Sequence, residues 1–482
     1  MFPTSTSCTQ CMEAMGNANP EKSPDIHMVR FLFPGAEDTA WFGFSVLLYP
    51  TDLEKHMMDF WRDSGKIMTP RHAEYCSENM HLMATDSLNS AFRTPAPEPP
   101  HHSPSALLPW RDAVGDNHAV QLFIADLVTS EQAGQPKVDA ADVFLYPTGM
   151  TAIYTLSEAL ASLSEQPVGA AFGWMYLEIV DLLRRGPWTK VLPFRDTTES
   201  AFDALEELLQ SGQQLHVLFC ELPSSVKLEC PNLERIQALA VKYDFIVACD
   251  ETMGNFINID VLPYVDVVMS SLTKMFSGAA DVMGGSLVLN PGSRYYKTIR
   301  SAVEKYHEDI YFPRDLSVLR KNSADVRERV QRSNETTLAI LDLFTSHPAI
   351  EQTWFPSLVH SAACYEKLKR KNGGYGNTII VIFLEAVDAA RFYNSLGCYK
   401  AASFGTNFTM AVPYGELTYS TWDLERCRKY GVPKHMIRMN IGLEDERLVR
   451  QWITDALGQV LGYVHSDGVE LGPKIARYCR ST

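Results

Sequence analysis

From residue 119 onward, short and continuously apolar runs alternate with helical patterns: VFLY at 143–146, HVLFC at 216–220, FIVACD at 245–250, VDVVMSS at 265–271 and GSLVLN at 285–290. A strand that is apolar on both faces must be covered on both. Amphipathic helices between such strands supply the cover, so the pattern predicts an α/β domain on a mainly parallel sheet. Functional sites in such sheets lie at the carboxyl ends of the strands. A long helical stretch from Ser323 to Thr345 then leads into a second α/β segment, with TIIVIFLE at 378–385 as its clearest strand and Glu444 to Leu461 as its closing helix. The predicted organisation is an N-terminal extension and arm over 1–118, a large domain over 119–335 and a smaller domain over 336–482.

Ahead of the large domain, residues 1–25 are rich in Ser, Thr, Asn and Pro without an apolar period, which predicts a disordered lead-in with order beginning near Val29. Residues 29–62 predict a small α+β element, with strands in VRFLF and FGFSVLLY and a helix from Asp52 to Trp61. The tract from Arg93 to Pro109 holds six prolines and reads as an arm or linker. The apolar run from Trp41 to Tyr49 is far short of the roughly 20 residues that cross a bilayer. Residues 1–30 show no secretory or transit pattern, and the chain is expected in the cytoplasm without membrane association.

A formal charge of −15 argues against a surface that tracks nucleic-acid phosphates and leaves small-molecule chemistry as the expectation. Of ten cysteines only Cys8 and Cys11 are spaced C-x-x-C, with no second pair at zinc spacing. No metal is expected. Reduced structural or surface thiols account for them.

Four segments fall where the sheet would place a site. Tyr146-Pro-Thr-Gly-Met-Thr151 follows a strand and opens a helix, so the amides around Gly149 and Met150 can face a phosphate, although such turns are commonly only turns. Asp250, in CDET, ends an apolar strand. It suits a pyridinium nitrogen, which a carboxylate keeps protonated, and it equally suits a helix cap. Lys274, in SSLTK, follows the next strand with Thr273 and Ser271 at −1 and −3, as a Schiff-base lysine beside a phosphate would; a surface lysine is the alternative. Arg438, in IRMNIGLED, can grip a carboxylate through two parallel hydrogen bonds or form a structural ion pair.

The order YPTGM, ELPSS, CDET, SSLTK, SFG and IRMNIGLED, with DVFLYPTGM, SFGTNFTMAVPY and FPRDLSVLRKNS as longer matches, resembles the cystathionine γ-synthase-like transsulfuration family, most closely its fungal branch. The resemblance runs from about residue 105 to the end. It implies the fold type I transferase architecture with a seven-stranded large-domain sheet, pyridoxal 5′-phosphate (PLP) as cofactor, and a homodimer or homotetramer. By the same resemblance Lys274 carries the cofactor as a Schiff base and moves protons, and Asp250 faces the pyridine nitrogen with Thr252 close by. Gly149, Met150, Ser271 and Thr273 cradle the phosphate, and Phe172 in FGWMY stacks on the ring. Arg438 binds the substrate α-carboxylate beside Ser403.

The chain also departs from the family pattern. Phe172 stands where Tyr is usual, and Ser225 replaces an amide in Glu221-Leu-Pro-Ser-Ser225. Gly278-Ala-Ala-Asp281 replaces Gly-His-Ser-Asp, and Pro109-Trp-Arg111 stands where a neighbouring subunit's Tyr-x-Arg reaches the phosphate, so Arg111 has no Tyr partner. The activity implied is γ-replacement on an O-acyl-L-homoserine through a vinylglycine-type ketimine. The acceptor is cysteine, sulfide or, as in relatives of secondary metabolism, a carbon nucleophile such as a β-keto acid or ester. The alternatives are a γ- or β-elimination lyase and, from another class, a non-catalytic scaffold paralogue.

Overall fold

A computed structural model describes residues 1–33, 43–87, 110–421 and 431–464, together with Glu425 and Cys427. The Pro-rich tract from Arg93 to Pro109 lies outside the described residues. Two compact units form. One comprises Met1–Arg327 with Val359–Gly374, the other Glu328–Leu358 with Tyr375–Thr482.

The first unit is organised on a seven-stranded sheet whose spatial order is Val143–Tyr146, Gly285–Leu289, Val267–Ser271, Ile246–Asp250, Val217–Glu221, Val168–Phe172 and Lys190–Phe194. Gly285–Leu289 runs antiparallel to both neighbours, and the remaining pairings are parallel. The five apolar runs of the sequence are all strands here. Val168–Phe172 and Lys190–Phe194 are additional: the first is built from small residues and the second carries Pro193, which an edge strand accommodates because its amide side needs no partner. Helices Gly149–Ala161, Leu177–Arg185 and Tyr296–Tyr306 bury Leu156, Leu183 and Val303 in the core that covers this sheet.

The expected disordered lead-in is corrected: Ser5–Ala18 is an α-helix, capped where the Thr4 hydroxyl accepts the Ser7 amide, and Pro20–Asp25 is a 3₁₀ turn. Cys8, Cys11 and Met15 form its buried stripe at helical spacing and pack with Phe2, Ile26, Leu47, Leu53 and Phe60. The stripe is made of sulfur-bearing residues, which serve as core hydrophobes in this position. Both thiols are 0% exposed, so these cysteines are core residues and not surface thiols, and burial raises each to about 12. Strands Gly43–Leu48, His27–Leu32 and Ala84–Ser87 make a three-stranded antiparallel sheet, followed around it by helices Glu54–Ser64 and Pro70–Glu78.

The second unit carries a five-stranded sheet ordered Ile350–Trp354, Thr378–Phe383, Met436–Asn440, Met410–Val412 and Tyr399–Lys400. The closing helix is Glu446–Val464. The long helical stretch expected from Ser323 to Thr345 is divided: a helix ends at Ser323, and Val326–Ala339 and Asp342–Thr345 follow it. Among the described residues no helix is long and apolar enough to cross a membrane.

Candidate active site

Three of the predicted segments converge at strand carboxyl ends in the first unit. Asp250 closes Ile246–Asp250, and Ser271 closes the neighbouring Val267–Ser271. A relay of hydrogen bonds joins them: the Ser271 amide donates to the Thr252 hydroxyl at 2.8 Å, and the Thr252 amide donates to the Asp250 carboxylate at 2.8 Å. Asp250 is only 5% exposed, and desolvation raises its pKa against the lowering effect of these bonds.

The turn after Ser271 carries Lys274. The Lys274 amide donates to the Ser271 carbonyl at 3.3 Å and its carbonyl accepts the Gly278 amide at 2.8 Å. Gly278 sits at φ 72°, where the absence of a Cβ removes the strain. Thr273 fixes the same turn, its hydroxyl accepting the Gly284 amide at 3.1 Å.

Gly149 opens the helix Gly149–Ala161, with Thr148 as N-cap accepting the Thr151 amide at 3.0 Å. A Cβ on Gly149 would lie 2.8 Å from the Ser271 side chain, and one on Gly285 would lie 2.2 Å from the Thr148 carbonyl oxygen. Glycine at both places lets a helix N-terminus meet two strands at backbone distance, with Met150 beside it. The first amides of that helix, with the Ser271 side chain beside them, suit an anion.

Sequence reasoning passed over Glu221. It ends Val217–Glu221 in register with Asp250, and its carboxylate accepts the Tyr176 amide at 2.5 Å. Burial raises its pKa well above the usual range, and the neighbouring Asp250 adds to the shift. The signal was present in the sequence, since VLFCE and IVACD are parallel apolar runs that each end in an acid. Ser225, in the loop after that strand, is buried.

Phe172 ends the strand Val168–Phe172. It is 0% exposed, and its ring packs against Phe194 at 5.5 Å and Phe202 at 4.7 Å between centroids, so its surface is taken up by the core. Arg111 lies in the first turn of the helix Trp110–Val128, and its side chain is outside the described residues.

In the second unit Arg438 and Ser403 come together. The Arg438 guanidinium donates to the carbonyls of Ala402 at 2.7 Å and Ser403 at 3.4 Å, and lies over the rings of Tyr414 at 4.7 Å and Phe404 at 5.3 Å. These contacts hold a planar fork in one orientation on the strand Met436–Asn440.

Residues 137–458 match the Cys/Met metabolism PLP-dependent enzyme family, and residues 1–69 match the fungal trans-sulfuration enzyme N-terminal domain. The chain belongs to this PLP-dependent family. It is 35% identical over 463 residues to the cystathionine gamma-synthase-like protein ankD of Aspergillus thermomutatus, covering 95% of this chain and 82% of that protein. It is 38% identical over 322 residues to the cystathionine gamma-synthase of Neurospora crassa, covering 66% of this chain and about half, 52%, of that protein. The fold matches cystathionine gamma synthase from Xanthomonas oryzae pv. oryzae with a TM-score of 0.61 at 18% identity, over 72% of this chain and 86% of that one.

The residues present fit the family's cofactor. Asp250 is a buried carboxylate bonded to Thr252, and a ring N–H⁺ is the partner that would relieve its desolvation. The glycine-lined helix N-terminus between Thr148 and Ser271 offers the donor groups a phosphate requires.

Proposed function

We propose that this member of the PLP-dependent family catalyses γ-replacement on an O-acyl-L-homoserine. The observation that carries the reading is the hydrogen-bonded relay from Ser271 through Thr252 to Asp250, which makes one unit of the acid, the hydroxyls and the lysine turn. Bound PLP supplies an electron sink for negative charge that develops at substrate Cα.

The chain's residues have the following proposed parts. Asp250 holds the proton on the ring nitrogen. The Lys274 amine holds the cofactor and, once displaced by the substrate amine, takes the Cα and Cβ protons and returns them. Gly149, Met150, Ser271 and Thr273 hold the phosphate, with Arg111 adding charge. Arg438, with Ser403 beside it, grips the substrate α-carboxylate, for which its planar, oriented fork is suited. The acyloxy group leaves Cγ with its bonding electrons as a carboxylate, and the acceptor forms the new bond at Cγ while giving up one proton. Cysteine, sulfide and carbon acids all satisfy that balance, and a carbon acid is the acceptor we assign, because Ser225 stands in the place of a longer amide and leaves more room beside the substrate carboxylate. The working form proposed is a homodimer or homotetramer.

The test is incubation with O-acetyl-homoserine alone and with each acceptor, followed by mass spectrometry. A new amino acid that contains the acceptor supports γ-replacement. A 2-oxo acid and ammonia in equal yield with and without acceptor identify an elimination lyase. No product and no borohydride-reducible chromophore identify a scaffold. Peptide mapping after borohydride reduction should place the pyridoxyl label on Lys274, and a label elsewhere would overturn that assignment.

A further inference from the structure

We infer that the segment Gly65–Arg71 positions the cofactor site from two sides, the phosphate end through Gly65 and the lysine turn through Arg71; the inference rests on the PLP site proposed above. Gly65 ends the helix Glu54–Ser64 at φ 57°, its amide bonded to the Trp61 carbonyl. It packs directly on the N-terminus of the helix Gly149–Ala161. A Cβ there would lie 2.2 Å from the Thr148 hydroxyl, 2.9 Å from the Thr151 nitrogen and 3.0 Å from the Met150 side chain. The Thr148 hydroxyl, the cap of that helix, also donates to the Gly65 carbonyl at 3.4 Å. The next residue anchors this contact: Lys66 is buried, and its ammonium donates to Gln10 at 2.7 Å and pairs with Glu308 at 3.1 Å.

On the other side Arg71 bridges two elements. One guanidinium nitrogen donates to the Asp315 carboxylate at 3.0 Å and to the Asp281 carbonyl at 2.8 Å. Asp315 is buried and also accepts from the Thr69 hydroxyl, so Arg71 is the cation that balances it. Asp281 closes the loop that begins at Ser277, just after the Lys274 turn, and Asn322 ties the same loop by bonds to Ser277 at 3.0 Å and Asp281 at 2.8 Å. Ala280 in that loop sits at φ 58°, a conformation that local preference does not favour and that these tertiary bonds hold. Thus one short segment of the chain's N-terminal part touches both the cap of the phosphate-facing helix and the loop that follows the lysine.

The experiment is equilibrium titration of the full-length apoprotein with PLP and, separately, with pyridoxal, which lacks the phosphate, for wild type, Gly65→Ala, Arg71→Ala and Arg71→Lys. Far-ultraviolet circular dichroism checks that each is folded. Gly65→Ala is expected to weaken PLP by about tenfold, the scale of one strained backbone contact, and to leave pyridoxal within about twofold. Arg71→Ala is expected to weaken both ligands alike by about tenfold, the scale of removing a partner from a buried charge, with Arg71→Lys in between. Equal losses of both ligands in Gly65→Ala, or wild-type affinities in Arg71→Ala, would overturn the inference. If Gly65→Ala does not fold, the Arg71 pair decides alone. A wild-type protein that binds neither ligand defeats the PLP site itself and this inference with it, whereas wild-type binding with unchanged variants defeats only this inference.

Discussion

Glu221 and Asp250 are register partners at the carboxyl ends of two adjacent parallel strands, and burial pushes both carboxyl groups toward their protonated forms. Their difference lies in their partners. Glu221 accepts the Tyr176 amide, whereas Asp250 accepts the Thr252 amide and is linked onward through Thr252 to the strand that leads to Lys274.

Asp250→Ala is therefore expected to lower kcat by at least about a hundredfold, the scale of a lost proton-holding group at a reacting centre. The variant should still take up PLP in part, because the phosphate groups and Lys274 are unchanged, and absorbance during titration would show it. A near-normal rate would place the electron-sink role elsewhere.

Phe172→Ala tests whether that ring belongs to the core. Truncating a fully buried aromatic costs about 3–5 kcal/mol, so the apoprotein, with no cofactor present, should unfold at clearly lower urea concentration. A ring whose main contact were the cofactor would leave the urea midpoint of the apoprotein unchanged and lower only that of the PLP-loaded protein.

His72 and His307 give the fold an acid-side weakness. Burial lowers each to about 4, below the usual histidine value, so between about 6.5 and about 4 the unfolded chain binds protons that the folded chain does not. Their contribution is present above the unfolded value and is lost as pH falls through that window. His72 stacks on Phe312 at 4.7 Å with an interplanar angle of 13°, which a phenyl ring can reproduce. His72→Phe should thus gain stability relative to wild type as pH drops from 6.5 to 4, measured by urea unfolding at each pH; a constant difference across the window would show that this group does not titrate there.

The choice of acceptor is a ratio of kcat/KM values and is read in competition. With cysteine and a small β-keto acid at equal concentration, the carbon-linked product is expected to predominate. Cysteine leading by more than about tenfold, roughly 1.4 kcal/mol in relative barrier, would make the enzyme a cystathionine γ-synthase and leave Ser225 without a part in selection.

Much of the fold was legible because burial writes itself into sequence as period. The strands at 143–146, 217–221, 246–250, 267–271 and 285–289 are apolar on both faces, and a sheet covered by helices is the arrangement that satisfies them. Strand-end position also marked Asp250 and the Lys274 turn, since the residue after an apolar strand is where a polar group first becomes tolerable. In the seven-stranded sheet two strands were not legible, VGAAF because small residues carry little apolar signal and KVLPF because proline is tolerated only where the sheet has an edge. The helix Ser5–Ala18 escaped because its buried face is cysteine and methionine, residues whose packing role depends on what stands opposite.

Local sequence determined five strands of the large sheet, where the acids and the lysine fall along them, and that glycine opens the helix at 149. Only the tertiary structure decided that Glu221 stands beside Asp250, that Phe172 faces Phe194 and Phe202, and that Gly65 rests on Thr148. The physical reason is range. Periodicity and turn chemistry act over a few residues, whereas the pKa of a buried acid, the face a ring presents and the fit of one backbone on another depend on strand order and packing between residues dozens of positions apart.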